Sequence, residues 1–263
     1  KSLIYQLAGL VLPGRTLVVD PLVSLMEDQE RSLRALGIDR VVALSQYTSL
    51  TGNRDLAMAQ VQSGDALFVF ISPERLQSPP FRQALQVLTA STPINLAVVD
   101  EAHCVSEWGH DFRTSYLNAG RTLRQYGADS AGSPPPLLAL TGTASRAVLK
   151  DVMNHLGIQQ ESVNTLVKPT SFDRPELAFE IRRKSPVDAL ATLQGEVLAM
   201  PSFFGESLSS FFAARQSRPH PGLIFVPHTN GSMGVTSVAE ALKNAIGGDV
   251  LIYSGKAPKG IAR

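Results

Sequence analysis

At 263 residues and a formal net charge of +1, the chain carries no global electrostatic footprint for nucleic acid, so any such site must be a local patch. Hydrophobic residues at 44% and aromatics at 6% describe an ordinary globular protein, with length for one large or two modest cores. Cys104 is the only cysteine, which excludes an internal disulfide, and the five histidines lie scattered without the cysteine partners that zinc prefers.

No apolar run is long enough to cross a bilayer, and no secretory signal is visible, so a cytoplasmic setting is expected, bacterial cytoplasm or nucleoid ahead of a nucleus. The chain opens on Lys1-Ser2 and an apolar helical stretch from Leu3 to Val11, which Pro13-Gly14 ends. Thr16 to Val19 makes a short strand. Leu22, Leu25, Met26, Gln29, Leu33 and Leu36 then recur at helical spacing until Gly37. Val41 to Leu44 reads as a strand, and Ala66 to Ile71 as a stronger one closed by Pro73. Leu96 to Val99 and Leu137 to Leu140 complete a strand–helix alternation of the kind a parallel sheet requires. Ser145 can cap a helix whose Val148, Leu149, Val152, Met153 and Leu156 share one face ending at Gly157.

A boundary is expected between Gly157 and Pro175. Beyond it, Leu177 to Ile181, Leu223 to Val226 and Val250 to Tyr253 read as strands, and Val238, Leu242 and Ile246 suit a helix. The stretch from 186 to 221, with its Phe203-Phe204 and Phe211-Phe212 pairs, reads either as a helical insertion or as a loop.

The chemistry concentrates at residues 100–113. The apolar run Leu96 to Val99 ends in two carboxylates, Asp100 and Glu101, at the carboxyl edge where α/β sheets place their sites. Asp100 can hold a magnesium ion through water, and Glu101 can orient and deprotonate an attacking water, both tasks of nucleoside triphosphate hydrolysis. Read blandly, the pair caps the following turn. Cys104 reads as a small apolar packing residue, and Arg182-Arg183-Lys184 as a solvated strand end.

Asp100-Glu101-Ala102-His103 resembles the Walker B box of superfamily 2 helicases, and Ser106-Glu107-Trp108-Gly109-His110-Asp111-Phe112-Arg113 resembles the aromatic-rich loop of RecQ-type DNA helicases. Thr114-Ser115-Tyr116 departs from the usual proline before tyrosine but keeps Tyr116. Other blocks follow in family order. Lys1-Ser2 resembles the end of a Walker A loop whose glycines are not in the sequence, Val18 to Gln29 motif Ia, and Ile71 to Leu76 motif Ib. Leu138 to Ala144 resembles motif III, with Gly142 where alanine is commoner, and Ser171 to Pro175 the approach to a second lobe. The chain thus looks like an excerpt, without motifs V and VI, and such a piece alone is expected to hydrolyse ATP poorly.

The resemblance implies an α/β fold: a RecA-like parallel sheet flanked by helices over 1–165, then the beginning of a second RecA-like lobe over 166–263 with an insertion near 186–221. It implies ATP and magnesium as cofactors, with Lys1 on phosphate and Ser2 and Asp100 on the metal. Glu101 becomes the base and His103 a relay of nucleotide state. DNA, single-stranded or at a junction, becomes the partner. Trp108 and Phe112 would stack on bases and Arg113 grip a phosphate, with Ser72, Arg75, Thr141 and Thr143 as further DNA-binding or coupling residues. The implied function is ATP-dependent, 3′-to-5′ DNA unwinding. A DNA-stimulated ATPase or translocase of a defence or repair protein, without strand separation, and an inactive DNA-binding remnant stay open as alternatives.

Overall fold

The computed structural model describes residues 1–44, 54–106, 114–142, 145–159, 165–167, 171, 175–183, 185, 187–212, 222–247 and 250–253. The chain divides into two compact units, Lys1–Pro169 and Thr170–Arg263.

The first unit is built on a five-stranded sheet in the order β2-β3-β1-β4-β5, with every neighbouring pair parallel. Its strands are β1 (Arg15–Val19), β2 (Val41–Leu44), β3 (Phe68–Ile71), β4 (Ile94–Val99) and β5 (Leu137–Ala139). Strands β1, β2 and β3 are buried along their whole length, which is why their sequences run continuously apolar rather than alternating. Successive side chains point to opposite faces. Leu17, Val19, Val42, Leu44, Val69, Ile71, Ala97 and Val99 therefore join one core, and Val18, Val41, Ala43, Phe68, Phe70 and Val98 the other. Each fully buried side chain of this size contributes about 1.5–3 kcal/mol.

Helices cover both faces, as the expected RecA-like architecture requires. Tyr5 from α1 (Ser2–Val11) and Met26 and Leu33 from α2 (Val23–Ala35) fill the second core. Gly9 lets α1 lie close on the sheet, because a Cβ there would collide with Thr16 and Phe68. The opposite face receives α3 (Arg54–Ser63), α5 (Pro79–Ser91), α7 (Ala119–Tyr126) and α8 (Arg146–Leu156) through residues such as Val61, Phe81, Leu85, Leu123 and Val152. The expected Ser145 cap forms, its Oγ accepting the Val148 amide at 3.3 Å, and Gly157 closes α8 at φ 58°. Two short helices, α4 (Pro73–Leu76) and α6 (Thr114–Leu117), lie in the connections after β3 and β4. Helices α3, α5 and α7 go beyond the elements read from sequence.

The chain travels from β1 outward to β2 and β3 and then crosses to β4 on the other side of β1. The strand order thus reverses between β1 and β4, whose carboxyl ends open into Asp20 and Asp100, and such a reversal is where open α/β sheets bind ligands.

The second unit contains α9 (Ala189–Phe203), α10 (Leu208–Phe211) and α11 (Val235–Ile246). Val197, Val238 and Leu242 form its small core, with Phe212, Val226 and Val250 packed against it. The 186–221 stretch is therefore helical where described, and Phe211 contacts both Phe204 and Phe212 with ring centroids 5.3 and 5.0 Å away. The strands expected at 177–181, 223–226 and 250–253 do not form. A strand exists only through a laddered neighbour, and these segments have none among the described residues; Ile181, for example, stays 92% exposed.

Candidate active site

Strand β4 leads directly into Asp100, whose amide donates to the Val19 carbonyl at the end of β1 (2.9 Å). The chain then turns sharply at Glu101, with φ 45° and ψ 46°, the one non-glycine residue of positive φ among the described residues. That conformation is uncommon for a residue with a Cβ. It swings Ala102 under β5, where the Ala102 amide donates to the Leu140 carbonyl (2.8 Å) and starts a 3-10 turn, Ala102–Val105.

The turn projects the Glu101 carboxylate between two groups from distant parts of the chain. The Lys1 ammonium donates to Glu101 Oε1 at 2.9 Å. On the other side, His103 Nδ1 lies 3.3 Å from Glu101 Oε2 and 3.1 Å from Thr141 Oγ1. Lys1, Glu101, His103 and Thr141 thus form one polar chain along the sheet edge, with Asp100 beside it and Ser2 opening α1. A helix N-terminus of this kind favours anions. Gly142 lies under Lys1: a Cβ there would sit 3.0 Å from Nζ and 3.2 Å from Cε.

Burial pushes the Asp100 carboxyl above its usual range; the hydrogen bond it accepts from the Glu101 amide works against that shift, and the Glu101 charge adds to it. A bound cation offsets this cost, so the residues present fit a hydrated divalent ion next to a polyphosphate. Lys1 could supply the opposite charge for a phosphate, and Ser2 and Asp100 could supply hard oxygen ligands to such an ion.

The remaining candidates fall into two groups. Ser72 is buried at 3% exposure and its hydroxyl caps α4 by accepting the Arg75 amide (3.3 Å), so it positions Arg75 and has little surface to offer a ligand. Trp108, Phe112, Arg113 and Thr143 lie outside the described residues. Asp20 is buried and accepts the Leu22 amide at 2.8 Å in the turn before α2, a local turn rather than a helix cap. Cys104 packs as expected, 6% exposed in the core.

Two tyrosines went unassigned in the sequence. Tyr5 is fully buried, and its hydroxyl has no hydrogen-bond partner among the described residues; burial first, then the charges of Asp100 and Asp20, push it well above the usual phenol range. Tyr116, also fully buried, donates its hydroxyl to the Asp100 carbonyl at 2.7 Å. The signal for Tyr5 is its place one helical turn after Lys1; for Tyr116, only its retention behind the aromatic segment.

The model of the DEAD/DEAH box helicase family matches residues 1–152, which takes in every described site residue. The chain belongs to the DEAD/DEAH box helicase family. Among curated relatives of this helicase chain, it is 42% identical over 181 residues to the probable ATP-dependent DNA helicase RecS of Bacillus subtilis, covering 69% of this chain and 33% of that one. It is 35% identical over 191 residues to the ATP-dependent DNA helicase RecQ of Pasteurella multocida, covering 72% and 28%. With the RecQ of Haemophilus influenzae it shares 31% identity over 245 residues, covering 93% and 33%. The chain therefore spans about a third of the length of the relatives it matches.

Proposed function

We propose that the intact protein is an ATP-dependent DNA helicase of the RecQ type. The observation that carries this reading is Glu101, set 2.9 Å from the Lys1 ammonium and linked through His103 to Thr141. A carboxylate so placed can accept a proton from water beside a phosphate held by Lys1. Lys1 neutralises phosphate charge, Ser2 and Asp100 hold magnesium, and His103 with Thr141 passes the state of Glu101 toward the segment after β5. Bound nucleotide and magnesium supply the transferable phosphoryl group and the charge that stabilises its departure.

DNA is the partner on this reading, contacted in single-stranded form or at a junction. Trp108 and Phe112 stack on bases, Arg113 holds a phosphate, and Arg75, Thr141 and Thr143 assist. Residues 1–165 act as the first RecA-like lobe and 166–263 as the opening of a second. Movement is 3′ to 5′, and the setting is the bacterial cytoplasm or nucleoid. Among the described residues, no helix is long and apolar enough to cross a membrane.

A strand-displacement assay on a duplex with a 3′ single-stranded tail, run beside ATP turnover, tests the reading. ATP-dependent displacement from that tail and not from a 5′ tail is expected. DNA-stimulated turnover without displacement would instead make the protein a translocase, and inertness in both assays would make it a remnant.

A further inference from the structure

The peptide joining Asp100 to Glu101 is held at both of its polar ends. Its carbonyl accepts the Tyr116 hydroxyl at 2.7 Å, and its amide donates to Asp100 Oδ1 at 2.8 Å. Directly after it comes the left-handed Glu101, a conformation that persists only where the surroundings over-determine it. Rotating that peptide would move the Asp100 carboxylate and the Glu101 carboxylate together, since one precedes it and the other follows it.

Tyr116 reaches this peptide from α6, which has its own anchor. Ser115 Oγ donates to Glu74 Oε1 of α4 at 3.2 Å, and the Gln77 side-chain amide donates to the Ser115 carbonyl at 3.3 Å. On the near side of residues 107–113, Ser106 Oγ donates to Asp151 Oδ2 of α8 at 2.6 Å. The described residues on either side of 107–113 are therefore tied, Ser106 to α8 and α6 to α4 and, through a buried hydroxyl, to the backbone of the acidic pair.

We infer that Tyr116 is a positioning residue for hydrolysis: its hydroxyl sets the Asp100–Glu101 peptide and thereby the aim of the Glu101 carboxylate at the attacking water. This rests on the hydrolytic role proposed for that pair. Tyr116 touches no reacting atom. It acts through the peptide, so its loss alters turnover rather than nucleotide capture. The connection also gives α4 and α6, on the motif Ib side, a direct mechanical hold on the catalytic carboxylate.

The test is Tyr116→Phe in the intact protein, with Leu117→Val as a control that trims the packing of α6 and leaves the hydroxyl in place. With saturating single-stranded oligonucleotide, kcat for ATP should fall by about tenfold or more while KM stays within about twofold. The control should change neither by more than about twofold. Hydrogen exchange of the Glu101 amide without nucleotide should quicken by about tenfold in Tyr116→Phe and stay unchanged in the control. Unaltered kcat, or unaltered Glu101 exchange, in a folded Tyr116→Phe protein overturns the inference. Should that variant not fold, Ser115→Ala, which releases α6 from Glu74, should quicken the same amide by about twofold or more, and no change would overturn it equally. The exchange readout needs no turnover. An inactive wild type therefore counts against the proposed function, and unaltered exchange against the role of Tyr116.

Discussion

Replacing Glu101 by glutamine separates the hydrolytic role proposed for this residue from its structural one. The substitution keeps size and shape, retains a hydrogen-bond partner for Lys1, and removes the group able to take a proton. Loss of a general base costs about 10²–10⁴ in rate, or about 3–5 kcal/mol of barrier. The structural cost is far smaller. The Lys1 and Glu101 side chains are 36% and 29% exposed, which places their ion pair among partly solvated pairs worth about 0–1 kcal/mol. Thermal stability should therefore shift by no more than a few degrees. Freed from its carboxylate, Lys1 should also hold nucleotide at least as well as before, tightening binding by up to about fivefold. The assay is ATP turnover in the intact protein beside fluorescent-nucleotide binding and a thermal melt. Turnover within about tenfold of wild type would refute the assignment of Glu101 as base. A large fall in nucleotide affinity would refute the reasoning about Lys1.

Asp100→Asn should raise the melting temperature at neutral pH while abolishing magnesium-dependent turnover, because burial of the charged carboxylate disfavours the folded state. The sign follows from its raised folded-state value: this carboxyl favours folding while protonated, and the benefit is lost as pH climbs through that value. Melts from neutral pH down to acid should thus show the gap between variant and wild type narrowing and closing below the ordinary carboxyl value of 3.8. Tyr5→Phe removes a buried hydroxyl with no hydrogen-bond partner among the described residues and should be neutral or stabilising, by up to about 1–3 kcal/mol in a denaturant titration; a loss of stability would show that the hydroxyl is paired in solution. Gly142→Ala meets the flexible end of Lys1, and φ there is not positive, so about 0.4–1 kcal/mol of added stability is expected with nucleotide affinity changed less than about threefold. Affinity lost by far more would mean that Lys1 cannot yield.

Most of the first unit was legible because its strands are parallel and buried on both faces, so Val41–Leu44, Phe68–Ile71 and Ile94–Val99 stand out as apolar runs. Helix α5 was not, since Pro79-Pro80 reads as loop while here it occupies the first helical turn, where prolines are tolerated. The apolar segments of the second unit express only an appetite for a neighbour, and pattern alone cannot say whether the neighbour arrives. Within the site, Lys1, Asp100, Glu101 and His103 were legible as polar groups at motif spacing. Tyr116 was not, because its contribution is a hydroxyl reaching a backbone carbonyl sixteen residues back, a contact no local pattern encodes. Gly142 read only as a glycine where alanine is commoner, and it lies beneath the end of Lys1. Ser72 was read toward DNA, yet its hydroxyl serves the backbone of α4.

On the proposed function, hydrolysis at Glu101 responds to a DNA strand bound through the aromatic residues of 107–113. The most direct measurement is ATP turnover of the intact protein with and without a single-stranded oligonucleotide, in wild type and in Trp108→Ala. Strong stimulation is expected in wild type, with basal turnover kept but stimulation lost in the variant. Wild-type turnover indifferent to the oligonucleotide, or stimulation undiminished in Trp108→Ala, would contradict it.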